Sequence, residues 1–250
     1  MVRPSLRLHG TTIEAKEQQF PWFLLCTLLP LFALPFADLQ GNALERFCLP
    51  VAVDLLILQS IRSLPRWRSS IGAVPTDGLY RGLGLLGALN VWVPFLLGHS
   101  VPWGLRLLFV LIRAGFYVMT AVRIVEVLAN SNRVNGRTLC LGAAGYIHLG
   151  LTGGQLATAL QVIDTDSFRL GSMAAGEELV ARLSYFAFVT IGTLGYGDVV
   201  PASPIGESFV ILLSITSTLY VSLLIGLLLS RYINSRTREA VANVESEVTR

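Results

Sequence analysis

The chain has 250 residues, 53% of them hydrophobic and 14% charged, with a mean hydropathy of +0.62. So much apolar side chain excludes an ordinary soluble domain and points to several membrane spans. The net charge of +3 is too small to argue for nucleic acid, so the placement of basic residues along the chain carries the information. Cys26, Cys48 and Cys140 lie within or beside apolar runs at no metal-ligand spacing. They read as buried thiols, not as a disulfide framework or a zinc site. No secretory signal is evident ahead of the first apolar run.

Taken in order, residues 1–20 form a polar N-terminal segment carrying Arg3, Arg7 and Lys16. A first span is predicted over Pro21–Ala37, interrupted by Pro30 and Pro35, which neighbouring helices accommodate in a bilayer. After a loop with Asp38 and Glu45, the second span runs from Phe47 to Ile61 and contains Asp54. A basic loop holds Arg62, Arg66, Arg68 and Arg81. The third span covers Leu79–Leu97, and a tight turn at Gly98–Trp103 leads to the fourth, Gly104–Ala129. Arg133 and Arg137 sit in the next link, before a fifth span over Thr138–Val162. An acidic segment follows with Asp164, Asp166, Glu177 and Glu178, then a re-entrant helix, a sixth span and a polar tail. The basic loops all fall on one side of six spans and the acidic ones on the other. By the positive-inside rule, both termini are predicted to be cytoplasmic.

Between the apolar run Leu179–Ile191 and the longer run Ile205–Tyr232 lies Thr193-Leu194-Gly195-Tyr196-Gly197-Asp198. Glycines on either side of a tyrosine suit a backbone whose consecutive carbonyls point one way. A row of carbonyl oxygens can replace the hydration shell of a cation. The stretch Tyr185–Pro201, YFAFVTIGTLGYGDVVP, resembles the pore loop of tetrameric potassium channels, whose motif reads T-x-G-Y-G-D.

The resemblance implies an all-α membrane protein of the voltage-gated-like, six-transmembrane-helix superfamily, of prokaryotic type. Residues 21–130 would form a four-helix voltage-sensor-like domain. Residues 131–232 would form the pore domain of outer helix, pore helix, filter and inner helix, and residues 233–250 a short cytoplasmic tail. One filter sequence cannot surround an ion, so a C4 homotetramer is implied. Potassium would bind at the carbonyls of Thr193, Leu194, Gly195 and Tyr196, with the Thr193 hydroxyl, and Gly197 would complete the filter. Asp198, Thr190, Tyr185 and Phe186 would support it, with Asp198 and Tyr196 held by hydrogen bonds. Glu177 and Glu178 either concentrate cations at the outer mouth or cap the pore helix. The partners are the lipid bilayer, other copies of the chain and the permeant potassium ion, with no cofactor and no nucleic acid. The location is a plasma (inner) membrane, crossed several times.

Two departures from the family bear on filter rigidity. Voltage-gated members usually have a Trp pair where this chain has Tyr185-Phe186, and Phe186 has no N–H to brace the filter tyrosine. Gly192 stands where another threonine is usual. In the sixth span, Gly206 matches a commonly occupied glycine, and Ser217 replaces a frequent hinge glycine. Gly226 is then either a gating pivot or a site of close helix packing. Thr218, Val221, Ile225 and Leu229 are expected to face the axis, with Ile225 and Leu229 closing it by dewetting.

The fourth span carries Arg106, Arg113 and Arg123, spaced seven and ten apart, whereas a sensor helix has arginine at every third position. Arg106 and Arg123 sit near the ends, where they can snorkel to the interface. Arg113 is deep enough to pair with Asp54, functionally or only for packing. A charge crossing the field is worth about 2.3 kcal/mol per 100 mV, and steep gating needs about three to four per subunit. One or two arginines predict weak or absent voltage dependence.

Gly82-x-Gly84-x-x-Gly87 matches a dinucleotide pattern but follows no strand, and is rejected. Gly150-xxx-Gly154 is expected to pack against the sixth span. His148 is a pH sensor or, more simply, a hydrogen-bonded packing histidine. Val241, Val244 and Val248 have heptad-like spacing and could seed a short coil. No nucleophile, base or metal constellation supports an enzyme. The rivals to a passive potassium channel are a less selective cation channel and a non-conducting regulatory subunit.

Overall fold

The apolar runs become helices whose ends are set by local chemistry. The computed structural model describes residues 16–36, 43–65, 76–93, 102–131, 135–171 and 179–248. Among them are seven α-helices: α1 Phe20–Ala33, α2 Ala43–Ser63, α3 Thr76–Val91, α4 Trp103–Asn130, α5 Gly136–Ile163, α6 Leu179–Ile191 and α7 Pro204–Val248. Two short strands, β1 Phe168–Arg169 and β2 Val200–Pro201, pair antiparallel. The Asn135 side chain caps α5 by accepting from Thr138 N at 2.9 Å. Ser203 precedes Pro204 at the head of α7, and its hydroxyl accepts from Gly206 N at 3.1 Å; proline suits this first helical position.

The fourth and fifth helices extend a residue or two beyond their predicted limits. Helix α7 continues through the predicted tail to Val248, so that segment is helical. Arg3, Arg7, Asp38, Arg66, Arg68, the expected turn at 98–101, Arg133, Glu177 and Glu178 lie outside the described residues, as do the side chains of Glu45, Val241, Val244 and Val248.

Two of the helices, Trp103–Asn130 and Pro204–Leu227, are long and apolar enough to cross a membrane. Polarity is arranged for such a solvent. On α1 the outward stripe is Trp22, Leu25, Leu29 and Phe32, while Thr27 is fully buried. Its hydroxyl donates to Phe23 O at 2.7 Å, and Ser60 and Thr120 likewise donate to carbonyls one turn back. Such bonds let hydroxyls enter a low-dielectric packet with their donors satisfied.

A single core runs from α1 to α5, joining Phe20, Phe23, Leu56, Tyr80, Phe116, Ile124, Leu141 and Leu151. Among the described residues this core runs on from α4 into α5. Helices α4 and α5 are joined by a link too short for anything but antiparallel neighbours, and α1 also lies against α5. At one end of the bundle, Lys16 Nζ donates to Arg62 O at 2.8 Å and Leu64 O at 2.6 Å. Asn135 Nδ2 donates there to Glu17 Oε2 at 2.7 Å. Residues 16–17 therefore meet the end of α2 and the start of α5. At the other end Trp103 Nε1 donates to Val162 O at 2.9 Å.

Helix α5 presents glycines to three partners. A Cβ on Gly142 would meet Leu224, and one on Gly145 would meet Tyr220 and Ile124. The pair Gly150 and Gly154 faces Phe188 and Ser184 of α6, not the sixth span as expected. Helix α6 fits between α5 and α7, and α7 instead takes Gly142, Gly145 and Gly153. His148 is fully buried, bonded through Nε2 to Tyr117 O at 3.1 Å and stacked on the Tyr117 ring. That is the packing arrangement. Gly84 lies inside α3, where a Cβ would be 2.9 Å from Ile61 and Phe116, so this glycine serves helix packing.

A Cβ on Gly154 would sit 2.7 Å from the Ser184 backbone. Gly154→Ala is expected to destabilise the protein by about 1–3 kcal/mol through overpacking. Gly82→Ala, with nothing within 4 Å, should be neutral. Thermal unfolding in detergent compares the two.

Candidate functional site: the loop after helix α6

Helix α6 ends where its last carbonyls run out of helical donors. The following backbone supplies them. Gly192 N donates to Phe188 O at 2.9 Å, Thr193 N to Thr190 O at 3.0 Å, and Leu194 N to Val189 O at 3.0 Å. The last two bonds form a Schellman cap with Thr193 at the left-handed position usually given to glycine. Thr193 has φ 57°, the one non-glycine residue with positive φ among the described residues. A β-branched residue there costs about 1–2 kcal/mol, so the cap is strained at the residue that begins the TLGYGD motif.

The left-handed conformation then recurs at every second residue, with φ 58° at Gly195 and 77° at Gly197. An extended chain points successive carbonyls to opposite sides. Reversing the backbone hand at alternate residues is the condition for turning them to one side. Residues 192–198 are exposed, and a Cβ on Gly195 or Gly197 would meet nothing within 4 Å. The obstacle to a side chain at Gly195 is therefore conformational, not steric crowding.

Beyond the motif the chain is anchored again. Val199 is buried in a cluster with Phe168, Leu183, Phe186 and Ala157. The β1–β2 pairing and the bond from Ala202 N to Ser167 O at 2.9 Å tie this return segment to the end of α5. Gly206 lets α7 begin against it, since a Cβ there would sit 2.5 Å from Ser167 O.

Phe186 lacks a polar brace, as expected, and acts by packing edge-on to Phe168 with centroids 5.3 Å apart. The polar brace comes from Arg182, which the sequence reading passed over. Its Nη2 lies 3.5 Å from Asp198 Oδ2, its Nε donates to Leu170 O at 3.2 Å, and its guanidinium approaches the Tyr185 ring. An arginine inside an otherwise apolar helix was the available signal. Tyr196 is 66% exposed in the single chain. Thr190 turns its hydroxyl back to Phe186 O at 2.9 Å and contributes to the loop through its carbonyl.

The predicted gate residues Ile225, Gly226 and Leu229 are exposed on an unbroken α7, as are Thr218 and Val221. Open space surrounds Gly226. Ser217 is buried and bonded to Ser214 O at 2.9 Å.

The sensor-like charges are arranged differently from the expectation. Asp54 Oδ2 accepts from Trp92 Nε1 at 2.7 Å and makes no pair with Arg113, whose stem lies beside Gly87 of α3. Arg123 does not snorkel. It is 3% exposed, 3.1 Å from Asp77, with its guanidinium 3.9 Å over the Tyr80 ring. Asp77 also holds Arg81 at 3.0 Å, so the carboxylate and ring of α3 draw Arg123 inward. Arg106 is exposed near the start of α4.

Residues 172–234 match a family model described as an ion channel. The match covers α6, the TLGYGD loop and the apolar part of α7, so an ion-channel domain occupies this stretch of a membrane protein. No curated protein and no solved structure matches the chain.

Arg182→Gln should release Asp198. A partly exposed pair contributes about 0.5–1 kcal/mol, so the amide of Val199 just beyond it should exchange about two- to fivefold faster. Gly195→Ala, forced to hold a left-handed conformation, should strain the loop by about 1–2 kcal/mol, read as faster hydrogen exchange of its amides in detergent.

Proposed function

We propose that this chain is one quarter of a potassium-selective channel, a C4 homotetramer that conducts passively. The observation that carries the reading is the alternation of backbone hand at Thr193, Gly195 and Gly197 within TLGYGD, on a loop exposed at the end of a short apolar helix. Four such loops around an axis would stack the carbonyls of Thr193, Leu194, Gly195 and Tyr196 into cages. A potassium ion would exchange its water for these oxygens, and adjacent ions would repel one another onward. The negative end of the α6 dipole would favour a cation in the cavity beneath.

Assembly is supported by α7, an apolar helix of which only 11% of the most apolar window is buried within one chain. Its free faces would meet other copies, the lumen and lipid. The chain would cross the plasma membrane six times with both termini cytoplasmic. Lys16, Leu64 and Asn135 gather at one end of the bundle, which supports that sidedness.

Voltage dependence would be weak. Arg123 is fixed by Asp77 and Tyr80, and the remaining arginines fall short of the roughly three to four charges per subunit that steep gating needs.

The test is reconstitution of purified protein in liposomes with opposed K+ and Na+ gradients. A reversal potential that follows potassium, a conductance nearly flat with voltage, and a tetrameric mass are expected. Equal sodium passage would favour a general cation channel. Sealed vesicles containing tetramers would favour a non-conducting subunit. Either result would overturn potassium-selective conduction.

A further inference from the structure

Helix α6 has four terminal carbonyls that its own turns cannot satisfy. Backbone donors from Gly192, Thr193 and Leu194 take those of Phe188, Thr190 and Val189. The fourth, Ile191 O, accepts from the Tyr146 hydroxyl of α5 at 3.0 Å. Thr193 is two residues further on, so this bond comes from a different helix and reaches the base of the strained loop.

Tyr146 also touches the moving partner expected in a channel. Its ring lies 6.5 Å from the ring of Tyr220 on α7. The Tyr220 hydroxyl donates to Gly142 O at 2.8 Å, and the missing side chain of Gly145 gives that hydroxyl its room. Leu213, two turns earlier on the same face of α7, packs with Ile191 and Ala187. Helix α7 therefore meets the base of the loop directly through Leu213 and also through Tyr220 against Tyr146.

We propose that Tyr146 is a positioning residue for ion selection: its hydroxyl sets the height of Ile191 O and hence of the Thr193 carbonyl ring, and its contact with Tyr220 makes that height depend on the inner helix. The proposal rests on the reading of the loop as a potassium filter. Removing the hydroxyl leaves Ile191 O without its donor while the ring still fills its place. Because Thr193 holds a costly conformation, the loop relaxes when that restraint is lost. The sequence offered no sign of this, since a tyrosine in an apolar span reads as core.

The experiment uses the full chain reconstituted in lipid. Tyr146→Phe is expected to lower the K+ to Na+ permeability ratio about tenfold, the effect of leaving one buried carbonyl unpaired. Thr152→Val removes another hydroxyl from α5, one that bonds its own helix at His148 O, and should leave the ratio unchanged. A ratio in Tyr146→Phe equal to wild type overturns the proposal, as does an equal fall in both variants.

A second readout needs no conduction. Hydrogen exchange at the Gly192, Thr193 and Leu194 amides should quicken about tenfold in Tyr146→Phe. Tyr220→Ala should quicken the same amides, and the double variant should add nothing further. Unchanged exchange, or strictly additive effects, overturns the proposal. If the wild type conducts no potassium while the exchange pattern holds, the potassium-filter reading fails and the strut between Tyr146 and Ile191 stands.

Discussion

Everything in the C-terminal half of the described chain depends on how one short helix is finished. The terminal carbonyls of α6 must be paired, and the chain pairs three of them with the amides of the loop that follows. That choice forces Thr193 into a left-handed conformation and starts the alternation that the two glycines continue. The loop's geometry is thus an extension of a helix cap. Its strain is held by fixtures on either side: Tyr146 at its base, and Val199 with the Arg182–Asp198 pair beyond it.

Those fixtures in turn need helices that approach closely. Helix α5 achieves this with glycine, receiving Phe188 and Ser184 on one side and Tyr220, Leu224 and Leu213 on another. In a lipid solvent apolar burial contributes little between helices, so close backbone contact and internal bonding do more. The buried hydroxyls follow the same rule by bonding to their own helix. Helices α1–α4 and α5 share one core, and α5 in turn holds the base of the loop through Tyr146.

The helices and the loop were legible because their signals are local. Apolar runs set the spans, and TLGYGD marked the filter candidate together with the glycines that take positive φ. What was not legible depends on which helix meets which. Gly150 and Gly154 announced a close contact but not that its partner was α6. Asp54 and Arg113 were matched by depth, yet Trp92 reached the carboxylate from α3. Arg123 was read as a snorkelling end charge, and only the packing of α3 on α4 brings Asp77 and Tyr80 to it. Tyr146 and Arg182 act through one carbonyl and one carboxylate, contacts for which linear spacing gives no cue.

The central claim is that four of these loops align their carbonyls into sites for a dehydrated cation. Anomalous diffraction from crystals grown with thallium in place of potassium tests it most directly. A column of thallium peaks on a fourfold axis, held between the carbonyls of Thr193, Leu194, Gly195 and Tyr196, is the predicted result. Loops that stand apart from any common axis, or an axis empty of ordered cations beside those carbonyls, would contradict it.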